Sequence, residues 1–201
     1  MNAELQIETV RRKAVWGSRI RMAVALAGAM LVMSCSQSIR TGQASSYLVI
    51  TSLTGGADND ATVASDVIED NGGIIADGGQ ATFQVLMKDT GGLGPSPVNA
   101  ITITQYHVEY VRGDGRNVPG LDVPFPFDGG LTVTIGTTGG TGFTLVRVQA
   151  KLEAPLKALA FAGGANVIST VARITFYGHD QSGREVSVTG NLEVNFADWA
   201  G

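Results

Sequence analysis

The chain has 201 residues, a formal net charge of −4 and a single cysteine, Cys35. One cysteine allows no disulfide within the chain, so its folded part must be stabilised by a core of its own, which about 165 residues can supply. After position 34 the sequence has nine basic and sixteen acidic residues, a formal charge of −7, and an acidic domain is not predicted to bind nucleic acid or anionic lipid headgroups.

The first 34 residues have the three parts of a secretion signal, which are a basic segment, an apolar segment and a cleavage site. An uncharged apolar run of twelve residues, 22–33, follows a basic block made of Arg11, Arg12, Lys13, Arg19 and Arg21. A helix that crosses a bilayer needs about 20 apolar residues, so this run is too short to remain as an anchor. The pattern predicts a signal helix in residues 1–34 that is removed on export.

The end of this signal, Val32-Met33-Ser34-Cys35, resembles the lipobox of bacterial lipoproteins, although Leu is commoner in the place of Val32 and Ala or Ser in the place of Met33. The resemblance implies that a peptidase cuts before Cys35 and that a diacylglycerol is attached to its sulfur. It further implies an extracytoplasmic protein of the bacterial cell envelope, held on a membrane by this lipid. Because Ser36 and not Asp follows the cysteine, the outer membrane is favoured in a cell that has one. An ordinary secretory signal, with Cys35 uninvolved, is the alternative.

Residues 35–45 are predicted to form a polar, lipidated tether, and residues 46–201 to form the folded domain. Within the domain, apolar and polar residues alternate with a period of two, which is typical of half-buried strands. Such strands are predicted at 47–53, 82–88, 101–112, 131–135 and 143–152.

The strand predicted at 101–112 changes the parity of its apolar residues. Ile101 and Ile103 lie at odd positions, whereas Tyr106 and Val108 lie at even ones. One extra residue in the strand would return both pairs to the same face, so the pattern predicts a β-bulge near Thr104 or Gln105.

The last part of the chain predicts a long hairpin with one dry face and a turn at 180–184. The residues on this face are Ile168, Thr170, Ala172, Ile174 and Phe176 in the first strand and Val186, Val188, Leu192, Val194 and Phe196 in the second. Residues 174–190 (ITFYGHDQSGREVSVTG) resemble the final hairpin of bacterial immunoglobulin-like and fibronectin-like domains. This resemblance implies a fold and not an activity.

Only one short helix is predicted, near 155–161, with Pro155 at its start and with Leu156 and Leu159 facing inward. Many strands joined by glycine-rich turns therefore predict an all-β chain. The fold class is an immunoglobulin-like antiparallel β-sandwich of about seven to nine strands.

The common enzyme motifs are absent from the sequence, and we predict that the chain is not an enzyme. His179, Asp180 and Ser182 are the residue types of a hydrolytic triad, but neighbours on one turn rarely reach the required geometry. A hydrolase of envelope polymers is the alternative, and it would need paired carboxylates. The sequence alone does not pair the candidates Glu109, Asp122, Glu153 and Asp128.

Acidic residues crowd the stretch 58–77, which contains no lysine or arginine. Calcium takes six to eight oxygen ligands, and carboxylates on an extracytoplasmic loop could supply them. The candidate calcium ligands are Asp58, Asp60, Asp66 and Asp70. A solvated acidic loop is the alternative, because the stretch has no recognised ligand spacing.

Two further segments are candidate binding sites. Arg112-Gly113-Asp114 is the tripeptide that integrins read, although a Gly-Asp-Gly turn explains it without a partner. The proline-rich segment 119–127 carries Phe125 and Phe127, which either cap the end of the sandwich or form an exposed binding surface.

Together these features predict a cell-envelope lipoprotein whose sandwich is a binding or structural module. Its partners would be the membrane, through the lipid on Cys35, and an envelope protein or polysaccharide. No cofactor is predicted unless calcium binds, and in that case the alternative is a calcium-dependent adhesin.

Overall fold

The computed structural model describes residues 44–56, 60–89, 91–92 and 94–199. The predicted signal peptide, Cys35 and most of the predicted tether lie outside these residues, and so does Asp58. No helix of the described residues is long and apolar enough to span a bilayer.

The described residues form eight strands, a number within the predicted range. They are β1 (Ser46–Gly55), β2 (Thr62–Asp66), β3 (Asp77–Met87), β4 (Ile101–Val111), β5 (Phe127–Ile135), β6 (Thr138–Val146), β7 (Ile168–Asp180) and β8 (Glu185–Ala197). Three short helical elements complete the fold: a 3-10 helix at Pro97–Asn99, the α-helix α1 at Val148–Leu152 and a second 3-10 helix at Leu156–Leu159.

The strands make two sheets, one with the order β1-β3-β6 and the other with the order β2-β8-β7-β4-β5. Neighbouring strands are antiparallel except at the edge of the larger sheet, where β2 runs parallel to β8. Strands β5 and β6 belong to different sheets, and only Gly136 and Thr137 separate them, so the chain changes sheets at this turn. The protein is therefore mostly β, with two sheets, as the sequence predicts.

The two sheets share one apolar core. The ring of Phe176 in β7 meets two rings of the smaller sheet, Phe83 at 4.9 Å and Phe143 at 5.4 Å between centroids. Both pairs are nearly perpendicular, an arrangement that the charge distribution of aromatic rings favours. The buried hydroxyl of Tyr110 in β4 donates a hydrogen bond of 2.7 Å to the carbonyl of Leu145 in β6.

The structure confirms the predicted hairpin and the predicted bulge. Strands β7 and β8 pair antiparallel and bury the predicted face around Ile174 and Val194. In the pairing of β4 with β7, Ile103 lies opposite Gly178 and Gln105 lies opposite the next residue, Tyr177, so Thr104 is the extra residue.

The predicted strand 143–152 is wrong in its second half. Strand β6 ends at Val146, and Val148–Leu152 is a helix. The partner strand β3 begins at Asp77, opposite Val146, so a longer β6 would have no backbone to pair with. A helical turn satisfies the backbone groups locally, for instance by the 3.0 Å bond from the Ala150 amide to the Arg147 carbonyl.

The helix predicted near 155–161 is shorter than expected. Only Leu156–Leu159 are helical, as a 3-10 turn, and both leucines are buried as predicted. The element ends before Phe161, whose φ of +66° cannot continue a right-handed helix.

The folded part of the chain includes residues before the predicted boundary at 46. Ala44 is buried in the core. The side-chain amide of Asn99 donates a 3.0 Å bond to the Ser45 hydroxyl, and the Lys88 amide donates a 3.0 Å bond to the Ser45 carbonyl. We name this end of the sandwich, which also holds the turn 181–184, the tether end.

Candidate functional site

The end of the sandwich opposite the tether end carries its longest connections. Strand β4 ends at Val111 beside the start of β7, and strand β2 ends at Asp66 beside the end of β8. Tyr110 near the end of β4 contacts Leu145 near the end of β6, which places the smaller sheet at this end too. We name it the loop end, and its segments are 67–76, 112–126, 147–167 and 198–199.

The Arg112-Gly113-Asp114 segment is a closed turn at the loop end. The Arg112 guanidinium donates to both oxygens of Asp114, at 3.1 and 2.7 Å. Arg116 donates to the same carboxylate through Nε at 3.0 Å and Nη2 at 2.9 Å. The hydrogen bonds from Arg112, which have the largest effect, and those from Arg116 hold the pKa of the Asp114 carboxyl well below its usual range. A partner that bound the Arg112 guanidinium and the Asp114 carboxylate would first have to break the hydrogen bonds between these two side chains.

The two phenylalanines of the proline-rich segment 119–127 differ in their surroundings: one caps the end of the sandwich and the other is exposed. Phe127 opens β5 and is buried, with the guanidinium carbon of Arg147 at 4.4 Å from its ring centroid. Phe125 is 46% exposed, and its ring lies against Gly120, where a Cβ would approach the ring to 2.3 Å. Leu121 is 70% exposed. Phe127 therefore caps the core, whereas Phe125 and Leu121 form an exposed apolar surface.

The described acidic residues that were predicted to bind calcium do not form one group of metal ligands. Asp60 lines a groove that Asp77 also lines. Asp66 accepts bonds from the amides of Ile68 at 3.3 Å and Trp199 at 3.2 Å. Asp70 lines a separate pocket. The described part of the chain contains no group of three His, Cys, Asp or Glu side chains that could hold a metal ion, and Asp58 lies outside it.

Because Asp60, Asp66 and Asp70 form no three-ligand group in the described part of the chain, we expect calcium to raise the melting temperature no more than magnesium does. Extracellular calcium sites bind at about 10⁻⁴ to 10⁻³ M, so the titration should reach roughly 10 mM. A ligand specific for the folded state adds about 2.7 kcal/mol at a hundredfold excess over its Kd. A calcium-specific rise in melting temperature that the double variant Asp58→Asn/Asp60→Asn abolishes would contradict this expectation.

A buried ion pair that the sequence did not predict lies beside the groove. The ammonium of Lys151, whose side chain is fully buried, is 3.1 Å from Oδ1 of Asp77. The Ser65 hydroxyl donates a 2.5 Å bond to the other oxygen of Asp77. The pKa of the Tyr110 phenol is raised, mainly by its burial and to a smaller extent by the negative charge of Asp77. This network ties α1 to strands β2 and β3.

A pocket of about 380 Å³ opens at the loop end. Its walls come from the turn after β2, from the loop after the second 3-10 helix and from the residue after β8. The residues that line it include Glu69, Asp70, Gly72, Phe161, Gly163 and Asp198. Hydrogen bonds from the Glu69 amide to the Gly73 carbonyl at 2.9 Å and from the Gly72 amide to the Glu69 carbonyl at 2.7 Å hold the first wall in shape.

Two side chains distinguish this pocket from an ordinary surface depression. Asp198 is only 4% exposed, although its carboxylate oxygens are not among the buried side-chain atoms without a partner in the described residues, which are Arg147 Nε and Asn195 Oδ1. Phe161 is 86% exposed and has a left-handed backbone conformation, which costs a residue other than glycine roughly 1–2 kcal/mol. The glycines after Phe161 were the one sequence signal of an exposed loop here, and nothing local marked Asp198.

The residues considered for hydrolysis are engaged elsewhere. Nδ1 of His179 is 3.0 Å from the backbone oxygen of Asp180, whereas the Ser182 hydroxyl donates to Oδ1 of Asp180 at 2.7 Å. Each of the four candidate carboxylates forms a hydrogen bond with a different residue. Glu109 accepts a hydrogen bond from the Arg173 side chain, and Asp122 accepts one from the Val118 amide. Asp128 is bonded to the His107 ring, and Glu153 accepts a hydrogen bond from the Gln149 side chain.

No protein-family model matches the chain, and no curated protein matches it. Three solved structures are similar at low identity. The Northeast Structural Genomics Consortium target SoR45 is 11% identical, with 76% of this chain and 86% of that chain covered and a TM-score of 0.32. Spo0M, a sporulation control protein from Bacillus subtilis, is 12% identical, with 75% and 49% covered and a TM-score of 0.30. A Bordetella pertussis protein, structural genomics target BeR40, is 12% identical, with 78% and 95% covered and a TM-score of 0.30. Likeness at this level identifies neither a family nor a function.

Proposed function

We propose that the chain is a lipid-anchored protein of the bacterial cell envelope whose immunoglobulin-like sandwich binds a partner through its loop end. The signal and lipobox pattern of residues 1–35 supports the anchor. A binding module needs an exposed surface on a rigid scaffold, and the loops at this end of the two sheets fit that need.

The order of the strands supports the immunoglobulin-like class. In such domains, strands A, B and E belong to one sheet and strands G, F and C to the other, with strand C′ added beside C in variable domains. Strands β1, β3 and β6 take the positions of A, B and E. Strands β8, β7, β4 and β5 take those of G, F, C and C′.

The observation that carries the binding role is the concentration of exposed apolar side chains at the loop end. Of thirteen large apolar side chains that are exposed in the described residues, nine lie on the segments of the loop end. They are Ile75, Val118, Leu121, Phe125, Val148, Leu152, Phe161, Val167 and Trp199. Single exposed apolar residues are ordinary on a protein surface, but their concentration at one end of the sandwich supports an interaction site there.

Site-specific photo-crosslinking in the producing cells tests this surface. Benzoylphenylalanine in place of Phe125 is expected to give a discrete adduct on irradiation, because a bound partner would cover that position. The matched control replaces Ser187, which is exposed on the outer face of β8, and should give little adduct. Equal adducts from both positions, or none from either, would contradict a binding role for the loop end.

The lipid anchor has its own test. We expect the wild-type protein to incorporate radiolabelled palmitate and to sediment with membranes, whereas Cys35→Ser should remain an unlabelled precursor or soluble protein. The neighbouring change Ser36→Ala controls for the substitution and should leave labelling intact. Palmitate in the Cys35→Ser protein would show that the lipobox interpretation is wrong.

A further inference from the structure

The guanidinium of Arg147 at the loop end carries a buried donor that has no hydrogen-bond acceptor. Its Nε is one of two side-chain polar atoms of the described residues that are buried without a partner, the other being Oδ1 of Asn195. A guanidinium can only donate hydrogen bonds, and a buried donor without an acceptor is costly to the folded protein. Most buried polar groups in proteins are paired, so this exception calls for a physical explanation.

The surrounding structure holds this side chain in place. Arg147 lies between the end of β6 at Val146 and the start of α1 at Val148, and its carbonyl accepts the 3.0 Å bond from the Ala150 amide. The guanidinium carbon is 4.4 Å from the centroid of the Phe127 ring. The ring attracts the positive charge, but it has no oxygen lone pair to offer. The contact with Phe127 therefore positions the cation without supplying an acceptor for Nε.

Arg147 also lacks a counter-ion within the described part of the chain. Four other described basic side chains form ion pairs with carboxylates, and Arg147 belongs to none of these pairs. Arg147 is itself half-buried, and a guanidinium is more weakly hydrated than an ammonium, which suits it to pair with an anion at an interface. An anionic group from outside the chain would supply both the missing charge and the missing acceptor.

The segment after Arg147 presents apolar side chains. Val148 is 38% exposed, and Leu152, one helical turn later in α1, is 46% exposed. Side chains four positions apart lie on the same face of an α-helix, so the two form a small exposed apolar strip next to Arg147 along the chain. A protein segment that has an acidic residue between apolar ones would complement both the cation and this strip.

A carboxylate fits Arg147 better than a phosphate does. The planar fork of a guanidinium matches the two oxygens of a carboxylate. The folded part of the chain is acidic, with a formal charge of −7 after position 34, and its field repels a doubly charged phosphate more strongly than a singly charged carboxylate.

We propose that Arg147 binds a carboxylate, supplied by an aspartate or glutamate side chain of a protein partner. The guanidinium donates hydrogen bonds to the carboxylate, and Val148 and Leu152 contact the apolar side chains on either side of it. The proposal rests on the proposed function, because it names the chemistry that one part of the loop end recognises.

The test is an NMR titration of the full-length, ¹⁵N-labelled protein in detergent with the blocked peptide Leu-Glu-Leu. We expect the Nε–H signal of Arg147 and the amide signals of Val148 and Leu152 to shift. They should saturate with a Kd on the order of 10 mM, since a single ion pair at a partly exposed site binds weakly. The neutral isostere Leu-Gln-Leu should bind at least about fivefold more weakly.

Two further probes test the source of the anion. Propionate has the carboxylate without the flanking side chains, and it should bind more weakly than Leu-Glu-Leu because it cannot cover the apolar strip. Inorganic phosphate should also bind more weakly. Propionate or phosphate that binds as tightly as the peptide would overturn a protein side chain as the ligand.

The variant Arg147→Met separates a binding role from a structural one. It keeps a flexible apolar side chain beside Phe127 and removes both the charge and the buried Nε. The shifts caused by Leu-Glu-Leu should be lost, whereas the melting temperature should equal or exceed that of the wild type, because an unpaired buried donor has been removed. A melting temperature lowered by more than about 5 °C would assign the guanidinium to the stability of the fold and overturn the proposal.

Two other variants complete the comparison. Arg147→Lys keeps the charge but lacks the planar fork, and it should weaken peptide binding at least about threefold. Lys157→Met is the matched control, because it removes an exposed cation from the same loop-end segment, and it should change the Kd by less than about twofold.

The outcomes separate this proposal from the proposed function. A flat titration of the Arg147 Nε–H signal, equal affinity for the Glu and Gln peptides, or unchanged affinity in Arg147→Met would overturn the carboxylate site. Crosslinking at position 125 does not depend on Arg147, so it would still report on the loop end as a binding surface in each of these cases.

Discussion

Replacing Phe176 with alanine is expected to unfold the domain or leave it close to unfolding. The side chain is fully buried between the sheets, in ring contact with Phe83, Phe143 and Tyr106. Truncation of a buried phenylalanine costs about 3–5 kcal/mol, a large share of the 5–15 kcal/mol that stabilises a typical domain. Phe196→Ala should behave alike, because Phe196 is buried against Tyr110 with centroids 5.5 Å apart. Urea denaturation followed by circular dichroism measures both losses.

Substitutions on the outer face of the same hairpin are the controls. Glu193 is exposed on β8, and Glu193→Ala should change the free energy of unfolding by no more than about 0.5 kcal/mol. Thr175→Ala removes a 2.9 Å bond with the Thr189 hydroxyl on the solvent face, a cross-strand pair worth less than about 1 kcal/mol. Losses on this face as large as that of Phe176→Ala would mean that the hairpin is buried on both sides.

The second large effect is expected from Asp77→Ala. The change leaves the Lys151 ammonium fully buried without its counter-ion and deprives the Ser65 hydroxyl of its acceptor. Removal of one partner of a buried ion pair typically costs about 3–5 kcal/mol, because the remaining charge stays in a poorly solvating site. A fall of this size in the unfolding free energy should appear in the same urea experiment.

A double-mutant cycle separates the buried charge from the other contacts of Asp77. Lys151→Met keeps the length of an apolar side chain in α1 and removes the charge, so it should cost less than Asp77→Ala. The double variant Lys151→Met/Asp77→Ala should be more stable than Asp77→Ala alone, since no unpaired ammonium remains. A double variant less stable than both single variants would show that the two side chains contribute independently of their charges.

Period-two patterning predicts the large central strands because each buries one face on a single core. In β4 the pattern also locates the bulge, since Ile103 and Tyr106 can both face inward only if one residue between them is extra. In the final hairpin, the alternation around Phe176 and Phe196 predicts which side chains are buried. These features are local consequences of strand geometry, and a sequence displays them directly.

The elements that the sequence did not predict depend on contacts between distant segments. Strand β2 has five residues and buries only Ser65 fully, so its alternation is weak and its pairing with β8 fixes it. Lys151 and Asp77 are 74 positions apart, and no spacing rule connects them. Asp198 becomes a pocket residue only because the turn after β2 and the loop around Phe161 contribute to the same lining.

The direction in which the chain enters the sandwich determines how far a lipid on Cys35 could hold the pocket from a bilayer. Eight residues separate Cys35 from Ala44, and the chain from Cys35 to Ala44 can extend over at most about 30 Å. Strand β1, ten residues long, then runs from the tether end to the loop end, a further length of roughly 30 Å. In a chain anchored through Cys35, these two lengths set an upper limit of about 60 Å on the distance from the lipidated residue to the loop end. A limit of this size would allow the loop end to contact ligands beyond the headgroups of the membrane to which the lipid would hold it.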